Sequence, residues 1–211
     1  MKLKVCGLNN RENIHTILKC KPDFIGFIFY GKSPRYIGDL SPEFVRNISS
    51  AKKVGVFVNE SEGNILKQAT LYGLDYVQLH GDETPGFCAT LNERVPVIKA
   101  FHVNDEFDFE IVAKYENACK YFLFDSKSEN YGGSGKSFNH TKLEEYKLNK
   151  EVFLSGGLDL NITDDMLYIQ SVHSAVFALD VNSRFELSPG IKNADKIKVL
   201  TDKMRKNELQ G

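Results

Sequence analysis

Lys53-Val54-Gly55-Val56-Phe57-Val58-Asn59, then Leu66, Ala69 and Tyr72 at helical spacing, then Gly73 and Tyr76-Val77-Gln78-Leu79-His80, is the stretch that decides the fold class. The two flanking runs are almost continuously apolar instead of alternating, the pattern of parallel strands buried on both faces. The intervening segment has one apolar stripe and stops at Gly73, where a helix C-terminal glycine belongs. Strand, helix and parallel strand therefore follow one another here. The same unit recurs along the whole chain. Strands are expected at Leu3–Cys6, Phe24–Phe29, Lys53–Val58, Tyr76–His80, Val97–Phe101, Tyr121–Asp125, Val152–Ser155 and Ala175–Asp180. Helix starts are expected at Ser41-Pro42, a cap followed by proline, and at Asn161 ahead of Met166 and Leu167.

Eight such units in 211 residues, with no Pro/Gly/Ser-rich linker or change of composition, predict an α/β protein: a single (β/α)8 TIM barrel over residues 1–211. A doubly wound open sheet is the alternative that periodicity leaves open. The polar end from about Lys203 to Gly211 is expected to fray. With 27 basic and 28 acidic residues, no global field recruits nucleic acid or an anionic membrane. No apolar run approaches the ~20 residues of a membrane-spanning helix. Cys6, Cys20, Cys88 and Cys119 are scattered without a CxxC pair, which suggests neither zinc nor disulfides and fits the cytoplasm.

In a barrel of this kind, chemistry sits at the C-terminal ends of the strands. Polar or glycine residues cluster at those ends. Cys6-Gly7 closes the first strand, and Cys6 is a candidate base or nucleophile whose thiol would be activated by a cationic surrounding. The other cysteines fall elsewhere and read as small buried hydrophobes. Asp125 emerges from Tyr121-Phe122-Leu123-Phe124, an apolar wall expected to raise its pKa and suit it to act as an acid. Arg35, in the loop after the second strand, offers a planar fork for a substrate carboxylate. Ser155-Gly156-Gly157 and Asp180-Val181-Asn182-Ser183 follow strands seven and eight, where barrels bind phosphate with backbone N–H groups; Gly156, Gly157 and Ser183 are the candidates. His80 and His102 show no convincing ligand spacing, and no metal is expected. Asn130 stands where a Walker A loop ending in Gly135-Lys136-Ser137 would need glycine, which argues against a nucleotide triphosphatase. Those glycines are expected to form a mobile loop over the site. Proton transfer on a small anion, as in an isomerase or lyase, is the chemistry these residues suggest.

The strand ends, in order, resemble one family. Lys4-Val5-Cys6-Gly7-Leu8, Lys32-Ser33-Pro34-Arg35-Tyr36, Val77-Gln78-Leu79-His80-Gly81-Asp82-Glu83, Leu123-Phe124-Asp125-Ser126, Leu154-Ser155-Gly156-Gly157-Leu158, and Asp180-Val181-Asn182-Ser183 with Pro189-Gly190-Ile191-Lys192 are similar to phosphoribosylanthranilate isomerases of tryptophan biosynthesis. The resemblance covers residues from about 3 to 200. It implies a cofactor-free Amadori rearrangement, with Asp125 as general acid, Cys6 as general base and Arg35 facing the anthranilate carboxylate. It also implies a phosphate held by Gly156, Gly157 and Ser183, with His80 and Asp180 beside the substrate. The implied partner is a small phosphorylated molecule, not nucleic acid or membrane, and the implied state a monomer or homodimer. Arg184, Ala178 and His140 depart from the family's usual residues. A related pentose-phosphate epimerase would need metal ligands at the strand ends, and a non-enzymatic barrel would have no need of Cys6 or Asp125.

Overall fold

The computed structural model describes residues 1–126, 140–162, 169 and 174–208. Eight parallel strands close into a barrel in chain order: β1 Lys2–Val5, β2 Phe24–Ile28, β3 Lys52–Phe57, β4 Tyr76–Leu79, β5 Val97–Val103, β6 Tyr121–Ser126, β7 Val152–Ser155 and β8 Val176–Val181. Pairing of β8 with β1, Asp180 opposite Lys4, shuts the sheet and removes the open-sheet alternative. All eight expected strands are present, with ends shifted by only one or two residues.

Helices α1 Arg11–Lys19, α2 Pro42–Arg46, α3 Glu62–Tyr72, α4 Pro85–Asn92 and α5 Glu110–Ala113 lie between strands, and a closing helix spans Ala194–Glu208. Their ends follow side-chain chemistry. Ser41 accepts the Phe44 N–H at the start of α2, with Pro42 next. Gly73 ends α3 at φ 62°, a left-handed conformation that glycine takes without a steric penalty. The closing helix runs to Glu208, into the stretch expected to fray, where Met204 is buried and Lys203 donates to the Leu160 carbonyl; residues 209–211 of that stretch lie outside the described residues. Asn161 lies in a short 3-10 turn, Leu160–Ile162; Met166 and Leu167, the segment it was expected to cap, lie outside the described residues.

Two apolar cores flank the sheet. The outer one, between strands and helices, includes Leu3, Val5, Ile25, Phe27, Val77 and Leu79. The inner one fills the barrel with Phe24, Val54, Ile98, Leu123, Phe153 and others. At the strand starts, Phe24, Tyr76, Tyr121 and Phe177 come from β2, β4, β6 and β8 and form a closed ring of aromatic contacts. The centroid distances around it are 5.7, 5.9, 5.1 and 6.1 Å. Phe153 packs edge-on against three of the four. Alternate strands supplying one layer is the packing rule of such barrels. Above this plug the interior turns polar: Lys4, Gln78 and Asp180 are all buried inside the barrel.

Candidate active site

Side chains on a strand alternate between faces. Lys4 and Cys6 therefore share the inward face of β1 and its end. Gln78 and His80 do the same on β4, and Leu123 and Asp125 on β6. The register places His102, Asp125, Ser155, Asp180 and Lys4 opposite one another on successive strands, from β5 round to β1. A cavity of about 240 Å³ opens over this level, the scale of a small metabolite. Its lining includes Cys6, Arg35, His80, Asp125, Gly156, Gly157, Asp180 and Ser183. Every residue that the sequence singles out for the site thus meets the same space.

Lys4 is wholly buried and donates to Asp180 Oδ2 at 2.7 Å and to Gln78 Oε1 at 2.8 Å. Burial opposes its charge, but Asp180 and Cys6 beside it hold its pKa above the ordinary value, so the proton stays on the amine. Removing one partner of such a pair costs about 3–5 kcal/mol, because the other charge is left buried and uncompensated. Burial pushes Asp180 upward against the pull of Lys4. Its Oδ1, itself buried, has no hydrogen-bond partner among the described residues, a free acceptor on a residue that lines the cavity.

The two expected proton-transfer groups depart from expectation in electrostatics, not in position. Burial pushes the Cys6 thiol up, with Lys4 and Lys192 opposing and Asp180 adding to the rise. The expected net lowering by a cationic site is therefore corrected, because desolvation outweighs the two lysines. Burial also works on Asp125, but hydrogen bonds and charge from His80, with His102 and Ser155, bring its pKa below the usual value. The apolar wall does not win there; the imidazole at 3.3 Å does.

Arg35 is held by one edge. Its Nε and Nη2 donate to Glu186 at 2.7–3.0 Å, and Glu186 also accepts from Lys192 Nζ and the Gly190 N–H. Desolvation acts against the Glu186 carboxylate, yet these cations hold its pKa low. The fork expected to grip a carboxylate with all its donors thus presents its remaining Nη edge, fixed in direction by Glu186. Gly156 and Gly157 both have positive φ, 92° and 62°, so the chain turns back tightly at the cavity rim with its amides near the surface. Ser183 begins a single 3-10 turn, Ser183–Phe185, on the same rim.

His80, His102 and Asp125 bring one ligand atom each within 4.8 Å of the others, although their sequence spacing gives no reason to group them. The hydrogen bonds do not suit a metal. A metal-bound imidazole donates its other N–H to an acceptor. Here the Gln78 oxygen is taken by Lys4, so its NH₂ faces His80 Nδ1 at 3.1 Å, a donor where an acceptor is required.

Sequence reading missed Lys4, Gln78, Glu186 and Lys192. The first two carried a signal: each is a polar residue two positions before a site residue in a buried strand, and so on the same inward face. The Asn130–Phe138 loop, with Lys136, and the side chain of His140 lie outside the described residues.

A family model described as N-(5′-phosphoribosyl)anthranilate isomerase matches residues 3–203. The N-(5′-phosphoribosyl)anthranilate isomerase of Parabacteroides distasonis is 41% identical over 202 residues, 94% of this chain and 90% of that protein. The crystal structure of phosphoribosyl anthranilate isomerase from Thermotoga maritima superposes with a TM-score of 0.82 at 36% identity, covering 98% of this chain and 99% of that one. A phosphoribosyl anthranilate isomerase in complex with reduced 1-(o-carboxyphenylamino)-1-deoxyribulose 5-phosphate superposes at 0.80 with 31% identity, over 98% and 99% of the two chains. With its closed barrel, the polar cavity at its C-terminal rim and a match running almost end to end, this chain belongs to the N-(5′-phosphoribosyl)anthranilate isomerase family.

Proposed function

We propose that this barrel converts N-(5-phosphoribosyl)anthranilate into 1-(2-carboxyphenylamino)-1-deoxyribulose 5-phosphate, the third step of tryptophan synthesis from chorismate, by acid–base catalysis without a cofactor. The observation that carries the reading is the meeting of Cys6, Asp125, Arg35 and the Gly156-Gly157 turn around one cavity at one rim. Gly156, Gly157 and Ser183 take the phosphate, while the outer edge of Arg35 takes the anthranilate carboxylate. Two anchored ends hold the reacting carbons between β1 and β6, so that binding energy is used for positioning.

Asp125 gives a proton to the ring oxygen as the C1–O bond breaks, and the nitrogen lone pair forms the C1=N bond. Cys6 then removes the C2 proton through its minor thiolate form, which burial disfavours and the Lys4 and Lys192 ammonium groups favour. The C–H electrons become C1=C2, the C=N electrons return to nitrogen, and an enolamine results. Protonation at C1 and loss of the C2 hydroxyl proton give the ketone. One acid and one base on different strands satisfy both demands. Asp180 Oδ1, without a partner, accepts a sugar hydroxyl beside them.

His80, His102 and Ser155 favour the ionised form of Asp125, and an anionic substrate that displaces water from it raises its pKa. The acid is thus made by substrate binding. The partner is a small phosphorylated molecule, and the setting is the cytoplasm, as a monomer or homodimer. No helix among the described residues is long and apolar enough to cross a membrane.

The test is loss of phosphoribosylanthranilate fluorescence with purified protein in EDTA. Cys6→Ala and Asp125→Ala are each expected to lower kcat by roughly 10²–10⁴-fold with the fold intact by circular dichroism. Unchanged turnover in either variant removes that residue from the mechanism.

A further inference from the structure

The hydrogen bonds under the cavity form one chain from β8 to β6. Asp180 accepts from Lys4, Lys4 donates to Gln78 Oε1, the Gln78 amide meets His80 Nδ1, and His80 Nε2 meets Asp125 Oδ2 at 3.3 Å. The polarity of this chain is set at one point. An ammonium has donors only, so the Gln78 group facing it is the oxygen. The Gln78 NH₂ must then face His80, Nδ1 must accept, and a neutral His80 carries its proton on Nε2, pointing at Asp125. The same ammonium lies beside the Cys6 thiol, two residues along the inward face of β1.

We propose that Lys4 is the positioning residue for both members of the acid–base pair: its ammonium favours the thiolate of Cys6 directly and, through Gln78, fixes His80 in the tautomer that donates to Asp125. One buried charge thereby orders two groups on opposite walls of the barrel. Lys4 touches neither reacting carbon. It lies below them, fully buried, among groups that only an internal lysine can join. The charged and titratable groups facing Cys6 are Lys4 on its own strand, Asp180 on β8 and Lys192 from the segment after β8; β2 presents only the Gly26 backbone. Of the forces that favour the thiolate, Lys4 is the largest. The proposal rests on Cys6 and Asp125 being the working pair. Its readouts need no turnover, so it fails independently of the isomerase assay.

Two substrate-free measurements on the whole chain test it. Long-range ¹H–¹⁵N spectra of ¹⁵N-histidine protein report which ring nitrogen of His80 is protonated, with His80→Asn supplying the assignment. The wild type is expected to show the Nε2–H tautomer. Gln78→Glu, which still accepts from Lys4 but has no N–H to give, is expected to move the proton onto Nδ1. A wild-type His80 protonated on Nδ1, or a Gln78→Glu spectrum identical to wild type, overturns the relay. The second measurement is the pH dependence of Cys6 alkylation by iodoacetamide, read peptide by peptide. Lys4→Met is expected to move its midpoint up by about one unit or more, roughly tenfold slower labelling at a fixed lower pH. An unmoved midpoint in folded Lys4→Met overturns the link to Cys6. If Lys4→Met does not fold, Lys4→Gln, which keeps a donor for Asp180 but no charge, takes its place with the same expected shift and the same overturning result.

Discussion

Asp125 shows how far a residue's character is set by strands remote in sequence. It leaves an aromatic run that argues for a neutral acid, yet His80 and His102 from β4 and β5 and Ser155 from β7 stabilise its anion. If substrate binding supplies the missing proton, calorimetric titration with a reduced product analogue in two buffers of different ionisation enthalpy will show net uptake approaching one proton near neutral pH. An Asp125→Asn variant will show the uptake abolished. Arg35 is similar: its carboxylate partner Glu186 lies 151 positions away, a pairing no spacing rule contains. Arg35→Ala is expected to weaken substrate binding by ~1.5–3 kcal/mol, the scale of a charged hydrogen bond, seen mainly in KM. Glu186→Gln is expected to lose part of the same amount by letting the fork swing. The locations of Cys6, Arg35, Asp125, Gly156, Gly157 and Ser183 were legible because barrel chemistry gathers at strand ends, whereas His80 and Asp180 entered only through the family resemblance. The pKa directions were not, since they depend on a balance between burial and neighbours brought in by the register.

At the scale of the element, the strands position the site through what they leave out as much as through what they carry. Gly26 on β2 faces Cys6 so closely that a Cβ there would come within 2.7 Å of the thiol sulfur and 3.1 Å of the Cys6 Cα. The Gly26 carbonyl also accepts from the Gly7 and Leu8 amides, which fixes the end of β1. Gly26→Ala is therefore expected to push the thiol off its line and lower kcat at least tenfold, with KM little changed. Equal kcat in that variant would show that the sulfur has room to give. The turn after β4 is held from below. Lys99 on β5 donates to the Gly81 carbonyl at 2.7 Å and to Glu83 at 3.1 Å, and Glu83 accepts from the Asn59 and Gly81 amides. Both ends of that ion pair are 3% exposed, so the loop carrying His80 is tied to a buried charge instead of to solvent. Strand positions were legible in the sequence because buried parallel strands are continuously apolar. That same continuity hid Lys4 and Gln78, single polar letters inside apolar runs whose inward direction only a two-residue count reveals, and Lys99, which lies on the opposite, helix-facing side of β5 with Val97 and Phe101.

For the molecule as a whole, buried weak acids, Cys88 and Cys119 in the outer layer and Tyr121 inside the barrel, set a limit on the alkaline side. Burial pushes Cys88 to about 11 and Cys119 to about 12, from an ordinary 9.0, and Tyr121 to about 12 from 10.0. These groups are neutral in the folded state over a range where the unfolded chain ionises them, so the unfolded state holds fewer protons and stability falls as pH rises. The contribution is intact below about pH 9 and is lost progressively from there to about 12, each thiol taking about 1.4 kcal/mol per pH unit across its window. Urea midpoints measured from pH 8 to 11 are expected to fall, and Cys119→Ala is expected to flatten the decline even where it lowers the starting value. A midpoint constant to pH 11 would mean that these thiols reach water in the folded state.

The ring of Phe24, Tyr76, Tyr121 and Phe177, capped by Phe153, gives the barrel a floor. A vessel with a floor has a single doorway. The spent ketose must back out along the route by which the next aminoaldose arrives, so the two compete for the same vestibule, and the pace of the catalyst is bound to how readily that one entrance clears.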